Sequence, residues 1–262
     1  MDNDDKPIGT ILSRRDVLKI LGLGGAATLL SACAPELAET LSPAPTSTSL
    51  PTSIPATQPA ATLASATSTQ TAIPACVVRP EMTEGPYFVD EMLNRSDIRS
   101  DPADGSMVQG APLELTFNVS QIGANGCTIL SGAQVDIWHC DANGTYSDVQ
   151  NAVGKKFLRG YQMTDANGVA KFITIYPGWY HGRAVHIHFK IRMNGYDFTS
   201  QLFFDDALTD QVYLQTPYVG RGERNVRNTS DNIYNNGGSQ LLLNVTQNET
   251  GYAAVFDIGM QL

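Results

Sequence analysis

The same four residues, Asp-Ala-Asn-Gly, occur at 141–144 and again at 165–168, each set between short runs in which apolar and polar side chains alternate. Asn-Gly pairs accept positive φ and reverse the chain tightly, so a sequence punctuated this way is committed to short strands joined by turns. Alternation over 113–119, 133–139, 158–164, 169–175, 185–193, 198–204, 240–245 and 252–258 predicts strands there. No long stretch shows a 3.6-residue apolar period. The expected architecture is therefore all-β: a sandwich of mostly antiparallel strands over residues 76–262, long enough to bury a single core.

The first quarter of the chain has a different character. Paired Arg14 and Arg15, a glycine-rich apolar run too short to span a bilayer, and Leu30-Ser31-Ala32-Cys33 together describe an export signal over 1–33. It resembles a twin-arginine signal ending in a lipobox, which makes Cys33 the expected lipid attachment point and membrane tether, facing the extracytoplasmic side. The alternative is an ordinary signal peptide with an incidental cysteine. Residues 34–75 are mostly Ala, Pro, Thr and Ser. They cannot bury enough surface to offset their ordering entropy and are expected to form a disordered linker. Export permits one disulfide among Cys76, Cys127 and Cys140, and the proximity in sequence of Cys127 and Cys140 favours that pair. A net charge of -9 without a Lys/Arg cluster excludes a phosphate-tracking nucleic-acid surface.

Chemistry concentrates in the stretch IYPGWYHGRAVHIHFK at 175–190. On a strand, His186 and His188 point to one face and can converge on one ion, with zinc, copper and iron all suited to imidazole; the bland alternative is a hydrogen-bonded structural pair. Further carboxylate ligands are sparse nearby, whereas Tyr146, Tyr176 and Tyr180 are not. A phenol ionises at neutral pH only if its phenolate gains about 4 kcal/mol, which a trivalent cation can supply and for which zinc has less need.

DIWHCDANGTYSD at 136–148, GYQMTDANGVAKFITIYPGWY at 160–180 and GRAVHIHFK at 182–190 resemble the metal-binding core of the intradiol ring-cleavage dioxygenases, in the form of a short, secreted, single-domain branch. The resemblance runs from Thr83 to the C-terminus. It implies the prealbumin-like sandwich of that family and non-haem Fe(III) held by Tyr146, Tyr180, His186 and His188, with Tyr180 rather than Tyr176 as the second phenol. It also implies that Tyr180 acts as an internal base, that Arg183 stabilises charge on the substrate ring and that Gln201 orients the arginine. Thr83, Gly85, Pro86, Tyr87 and Trp179 are the implied substrate contacts. The implied substrates are a catechol-type diol and O2, cleaved to a cis,cis-muconate.

Some positions keep structural alternatives. Trp138 and Trp179 serve equally as packing, Tyr87 as a strand-edge aromatic, and His139 and His181 as surface or supporting contacts. Arg183 could merely neutralise Asp136 or Asp205. The loop between Tyr180 and His186 has five residues, fewer than in the classical enzymes, and their helical N-terminal region is missing, so substrate identity does not transfer. Two other readings stay open: a non-catalytic exported sandwich module for binding or display, and a zinc or copper site on the same histidines.

Overall fold

The computed structural model describes residues 76–262. The expected export signal, Cys33 and the linker over 34–75 lie outside the described residues. Strands β1 (Pro112–Gly123), β2 (Gly126–Ile129), β3 (Gln134–Trp138), β4 (Arg159–Met163), β5 (Val169–Ile175), β6 (His186–Met193), β7 (Tyr196–Phe203), β8 (Val245–Asn248) and β9 (Gly251–Met260) form two sheets. The first runs β2-β1-β9-β8, with β5 also paired to β1; the second runs β4-β3-β6-β7. Pairing is antiparallel except between β1 and β9, which run parallel.

The core lies between the sheets and follows the two-residue period. Leu113, Leu115, Phe117 and Val119 of β1 meet Ile187, Phe189 and Ile191 of β6 in one buried cluster. Phe117 stands 5.3 Å from Phe189 across the sheets and 5.9 Å from Phe256 within its own. Each such side chain contributes about 1.5–3 kcal/mol on burial. Because Ile187, Phe189 and Ile191 face inward, His186, His188, Lys190 and Arg192 fall on the outer face of the second sheet.

That outer face is covered too. A segment over 80–95 crosses it as a strap, fixed by Met82 N to Thr199 O (3.0 Å) and Arg95 N to Tyr161 O (3.1 Å). Lys190 pairs with Glu84 and Arg192 with Asp90. Phe88 lies beneath the Lys190 ammonium and tilts against Trp138.

Two expectations, one strand and the disulfide, are corrected. Residues 240–245 are not a strand: Gly238–Leu241 is a 3-10 turn and β8 begins at Val245. The consecutive leucines there have no period to report, and Gly237 at φ 118° starts the turn. The all-β sandwich is as expected, with two short helices added between β7 and β8 that the strand pattern did not announce, α1 (Asp206–Val212) and α2 (Asn232–Asn235). The Asp205 side chain caps α1 by accepting from Leu208 N, but seven residues are too few for a helical period to stand out. The disulfide joins Cys76 to Cys127, and Cys140 is free and buried. Cys127 belongs to β2 of the first sheet, whereas Cys140 follows β3 of the second and donates its thiol to Gly178 O at 3.3 Å.

His139 is fully buried rather than at the surface. Its Nδ1 donates to Cys140 O (2.8 Å), leaving Nε2 to accept from the Thr174 hydroxyl (2.6 Å), which ties the end of β3 to β5 of the other sheet. Burial lowers its pKa to about 4. The unfolded chain therefore takes up this proton first, near pH 6.5, and stability falls by about 1.4 kcal/mol per unit as pH drops from about 6.5 to about 4. Urea unfolding of wild type and His139→Gln across that window should differ in slope by one proton; parallel slopes would refute the assignment. Separately, Cys127→Ser opens a disulfide spanning 51 residues and should destabilise by about 2–4 kcal/mol in reversible unfolding.

Candidate metal centre

Two turns set the phenols. In the 141–144 turn, Asp141 Oδ1 accepts from Asn143 N and Thr145 N, each at 2.8 Å, and so delivers Tyr146 at its exit. The turn docks on the Pro177-Gly178-Trp179-Tyr180 segment through Gly178 N to Asp141 O (3.1 Å). The approach leaves no room for a side chain on either side. A Cβ on Gly144, at φ +79°, would lie 2.3 Å from Trp179 O, and one on Gly178 would lie 2.5 Å from both Asp141 O and Ala142 O.

The imidazoles come from β6. His186 Nε2 lies 3.0 Å from His188 Nε2, 3.2 Å from the Tyr180 hydroxyl and 3.5 Å from the Tyr146 hydroxyl. The four residues expected to share one ion are thus brought together. His186 Nδ1 is 2.7 Å from Ala184 O, and a carbonyl only accepts, so Nδ1 carries the proton and Nε2 presents its lone pair to the others. His188 is opposite Trp138 on β3 and Gln201 on β7, and the indole stacks on its ring at 5.0 Å and 7°.

Burial, and after it the positive charge of Arg183, lowers the pKa of His186; burial and then His186 lower that of His188. Both rings are therefore neutral at neutral pH. Burial, followed by the neighbouring Tyr180, holds the Tyr146 phenol well above its usual 10. Two neutral imidazoles and two phenols converging on one point are a donor set for a cation, and the chemistry fits ferric iron, since phenolates balance a trivalent charge.

Arg183 stands beside this cluster, buried, with Nη2 on Gln201 Oε1 (2.6 Å); Gln201 Nε2 donates in turn to Thr83 O (2.9 Å). Its carboxylate partner is neither Asp136 nor Asp205 but Asp231, at 3.0 Å. On the strap, Gly85 turns at φ 70° with its N–H on Thr83 Oγ1 (3.2 Å), and Pro86 is exposed. The Tyr87 ring lies 4.6 Å from Tyr146 and 6.1 Å from Tyr180. The Trp179 indole faces Arg221, whose guanidinium is 4.6 Å from the ring. Tyr176 points elsewhere, bonding Thr209 Oγ1 at 2.7 Å, and His181 is exposed beside Asn225.

Sequence reasoning missed Asp231 and Arg159. Buried Arg159 donates from Nε to Ser147 O (3.1 Å) and Oγ (2.9 Å), and from Nη1 to Tyr87 O (2.7 Å), so it clamps the backbone on both sides of the Tyr146–Tyr87 stack. Neither residue lies in a pattern that announces chemistry.

The family model described as "Dioxygenase" matches residues 83–220. An intradiol ring-cleavage dioxygenase from Tetranychus urticae is 31% identical, with 71% of this chain and 95% of that chain covered and a TM-score of 0.64. The dioxygenase domain of a dioxygenase carbohydrate-binding protein fusion from Streptomyces sp. SirexAA-E is 29% identical, covering 71% of this chain and 99% of that one, with a TM-score of 0.53. A chlorocatechol 1,2-dioxygenase of Cupriavidus pinatubonensis is 25% identical over 154 residues, 48% of this chain and 56% of that protein. The chain thus spans only about half the length of that curated relative, and 37% of a chlorocatechol 1,2-dioxygenase from Pseudomonas putida.

Proposed function

The chain belongs to the intradiol ring-cleavage dioxygenase family, and from that premise we propose that residues 76–262 are a catalytic domain using non-haem Fe(III). Its substrates in this reading are a catechol-type aromatic diol and O2, and its product is a cis,cis-muconate-type diacid. The observation that carries the proposal is the meeting of two phenol oxygens and a second imidazole nitrogen within 3.5 Å of His186 Nε2.

Tyr146, Tyr180, His186 and His188 hold the iron. When bound, ferric iron supplies the Lewis acidity and one-electron chemistry that activate a catechol toward O2. Tyr180 is less buried than Tyr146 and is the phenolate that takes up a proton at its Oη from the incoming diol. Arg183 stabilises negative charge building on the ring, and Gln201 holds the guanidinium in place so that no reorganisation is needed. Thr83, Gly85, Pro86 and Tyr87 of the strap, together with Trp179, are the substrate contacts in this reading. The 1–33 segment acts as an export signal with Cys33 lipidated, and 34–75 acts as a tether to an extracytoplasmic membrane face. The Cys76–Cys127 disulfide supports an oxidising destination.

Iron-loaded protein should be burgundy, from phenolate-to-iron charge transfer. Losing even outer partners of metal ligands costs about 10–100-fold, so Tyr146→Phe should weaken iron binding by at least about tenfold and shift and weaken the band, which then rests on Tyr180 alone. Oxygen uptake with a panel of catechols should yield muconate spectra. A colourless protein carrying stoichiometric zinc would favour the zinc reading, and a metal-free protein inert to every catechol would favour the display module.

A further inference from the structure

Asp231 makes an unusual number of bonds for a residue so far along the chain from the donor cluster. It is buried, and both carboxylate oxygens are fully used. Oδ1 accepts from Ile233 N (2.7 Å) and Tyr234 N (3.0 Å), capping α2. Oδ2 accepts from Arg183 Nε (3.0 Å) and from Ala184 N (2.7 Å). Ala184 in turn uses its carbonyl to hold His186 Nδ1 at 2.7 Å. One oxygen therefore grips the guanidinium and the N–H of the residue whose carbonyl orients an imidazole of the cluster. From Asp231 the chain of bonds continues through Arg183 Nη2 to Gln201 Oε1 and through Gln201 Nε2 to Thr83 O on the strap.

We propose that Asp231 is a positioning residue of the active site, fixing Arg183 directly and His186 through the backbone of Ala184, whose N–H it holds and whose carbonyl holds the imidazole. The inference rests on the dioxygenase reading above. Asp231 lies beyond residues 83–220, so this control enters from a part of the chain outside the matched family region. Its bonds explain why the arginine points as it does. A guanidinium can swing about its stem unless Nε and Nη2 are both committed, here to Asp231 and Gln201. Replacement by Asn is not neutral, because each oxygen faces two N–H donors and an amide nitrogen must oppose one pair.

The decisive variant is Asp231→Ser, which keeps a capping oxygen for α2 but is too short to hold Arg183. In the iron-loaded full chain it should melt at a lower temperature, because buried Arg183 loses its carboxylate, yet stay folded at assay temperature, and at matched iron occupancy it should lose about 10–100-fold in kcat, the range typical of lost supporting partners. In an Arg183→Ala background the same change should cost little more, because Asp231 acts largely through the arginine. Equal losses in both backgrounds, or wild-type kcat in Asp231→Ser, would overturn the proposal. Arg183 Nε–H, followed by NMR, supplies a readout that needs neither iron nor turnover. It should exchange slowly in wild type and fast in Asp231→Ser and Asp231→Asn. Fast exchange in wild type would refute the proposal even if the protein proved inactive, whereas inactivity with a protected Nε–H would refute only the dioxygenase reading.

Discussion

Two imidazole nitrogens held 3.0 Å apart, with two phenol oxygens crowding the first of them, are the constraint on which the rest of this structure depends. Two lone pairs that close repel unless a proton or a cation sits between them. Ala184 O takes the only proton that a neutral His186 carries, so the nitrogen facing the cluster is bare. Burial then works against charge on every member. It lowers the basicity of both histidines and raises the Tyr146 phenol. Such a pocket resists both protonated imidazoles and unassisted phenolates, and an externally supplied cation satisfies all four groups at once.

Keeping that pocket dry dictates the architecture around β6. An antiparallel sheet normally leaves one face to water. Here His186 through Ile191 are all buried, because the strap covers the face turned away from the core. Covering it takes charged residues out of solvent, and the two cations of β6 are paired. Lys190 meets Glu84 and the Phe88 ring, and Arg192 meets Asp90 and Asp136. Burial still pushes Asp136 up to about 6 despite Arg192. Arg159 completes the seal by bonding the backbone of Tyr87 on the strap and Ser147 beside Tyr146.

Much of this was legible in the sequence, for local reasons. Strands with a clear two-residue period and a Gly-containing turn nearby, such as β3, β5 and β6, were placed nearly residue for residue, since alternation and turn chemistry are both written locally. The histidines of the donor cluster were legible because His-x-His on a strand is a local pattern, whereas the choice of Tyr146 and Tyr180 came from the family resemblance. What escaped depended on contacts remote in sequence. Gln240 to Val245 reads as a strand, yet Leu241 and Leu243 fill the core from a turn and an extended segment. Cys76 reaches Cys127 across 51 residues, which spacing between neighbours could not anticipate. Asp231 and Arg159 look like ordinary surface charges, and only the folded chain shows what they touch.

The short loop between Tyr180 and His186 explains why such remote residues matter. Five residues offer too little backbone to build a turn that orients both a ligand histidine and an arginine with its own hydrogen bonds. The grip must come from outside. On one flank it comes from the 141–144 turn, which reaches the Gly178–Trp179 backbone so closely that only glycines fit at 144 and 178. On the other flank it comes from Asp231, whose single oxygen holds Arg183 and the Ala184 N–H together. A loop clamped at both ends this way can stay short and still present its side chains in one fixed arrangement. The rigidity that a longer loop would draw from its own contacts is supplied here by two neighbours distant in sequence.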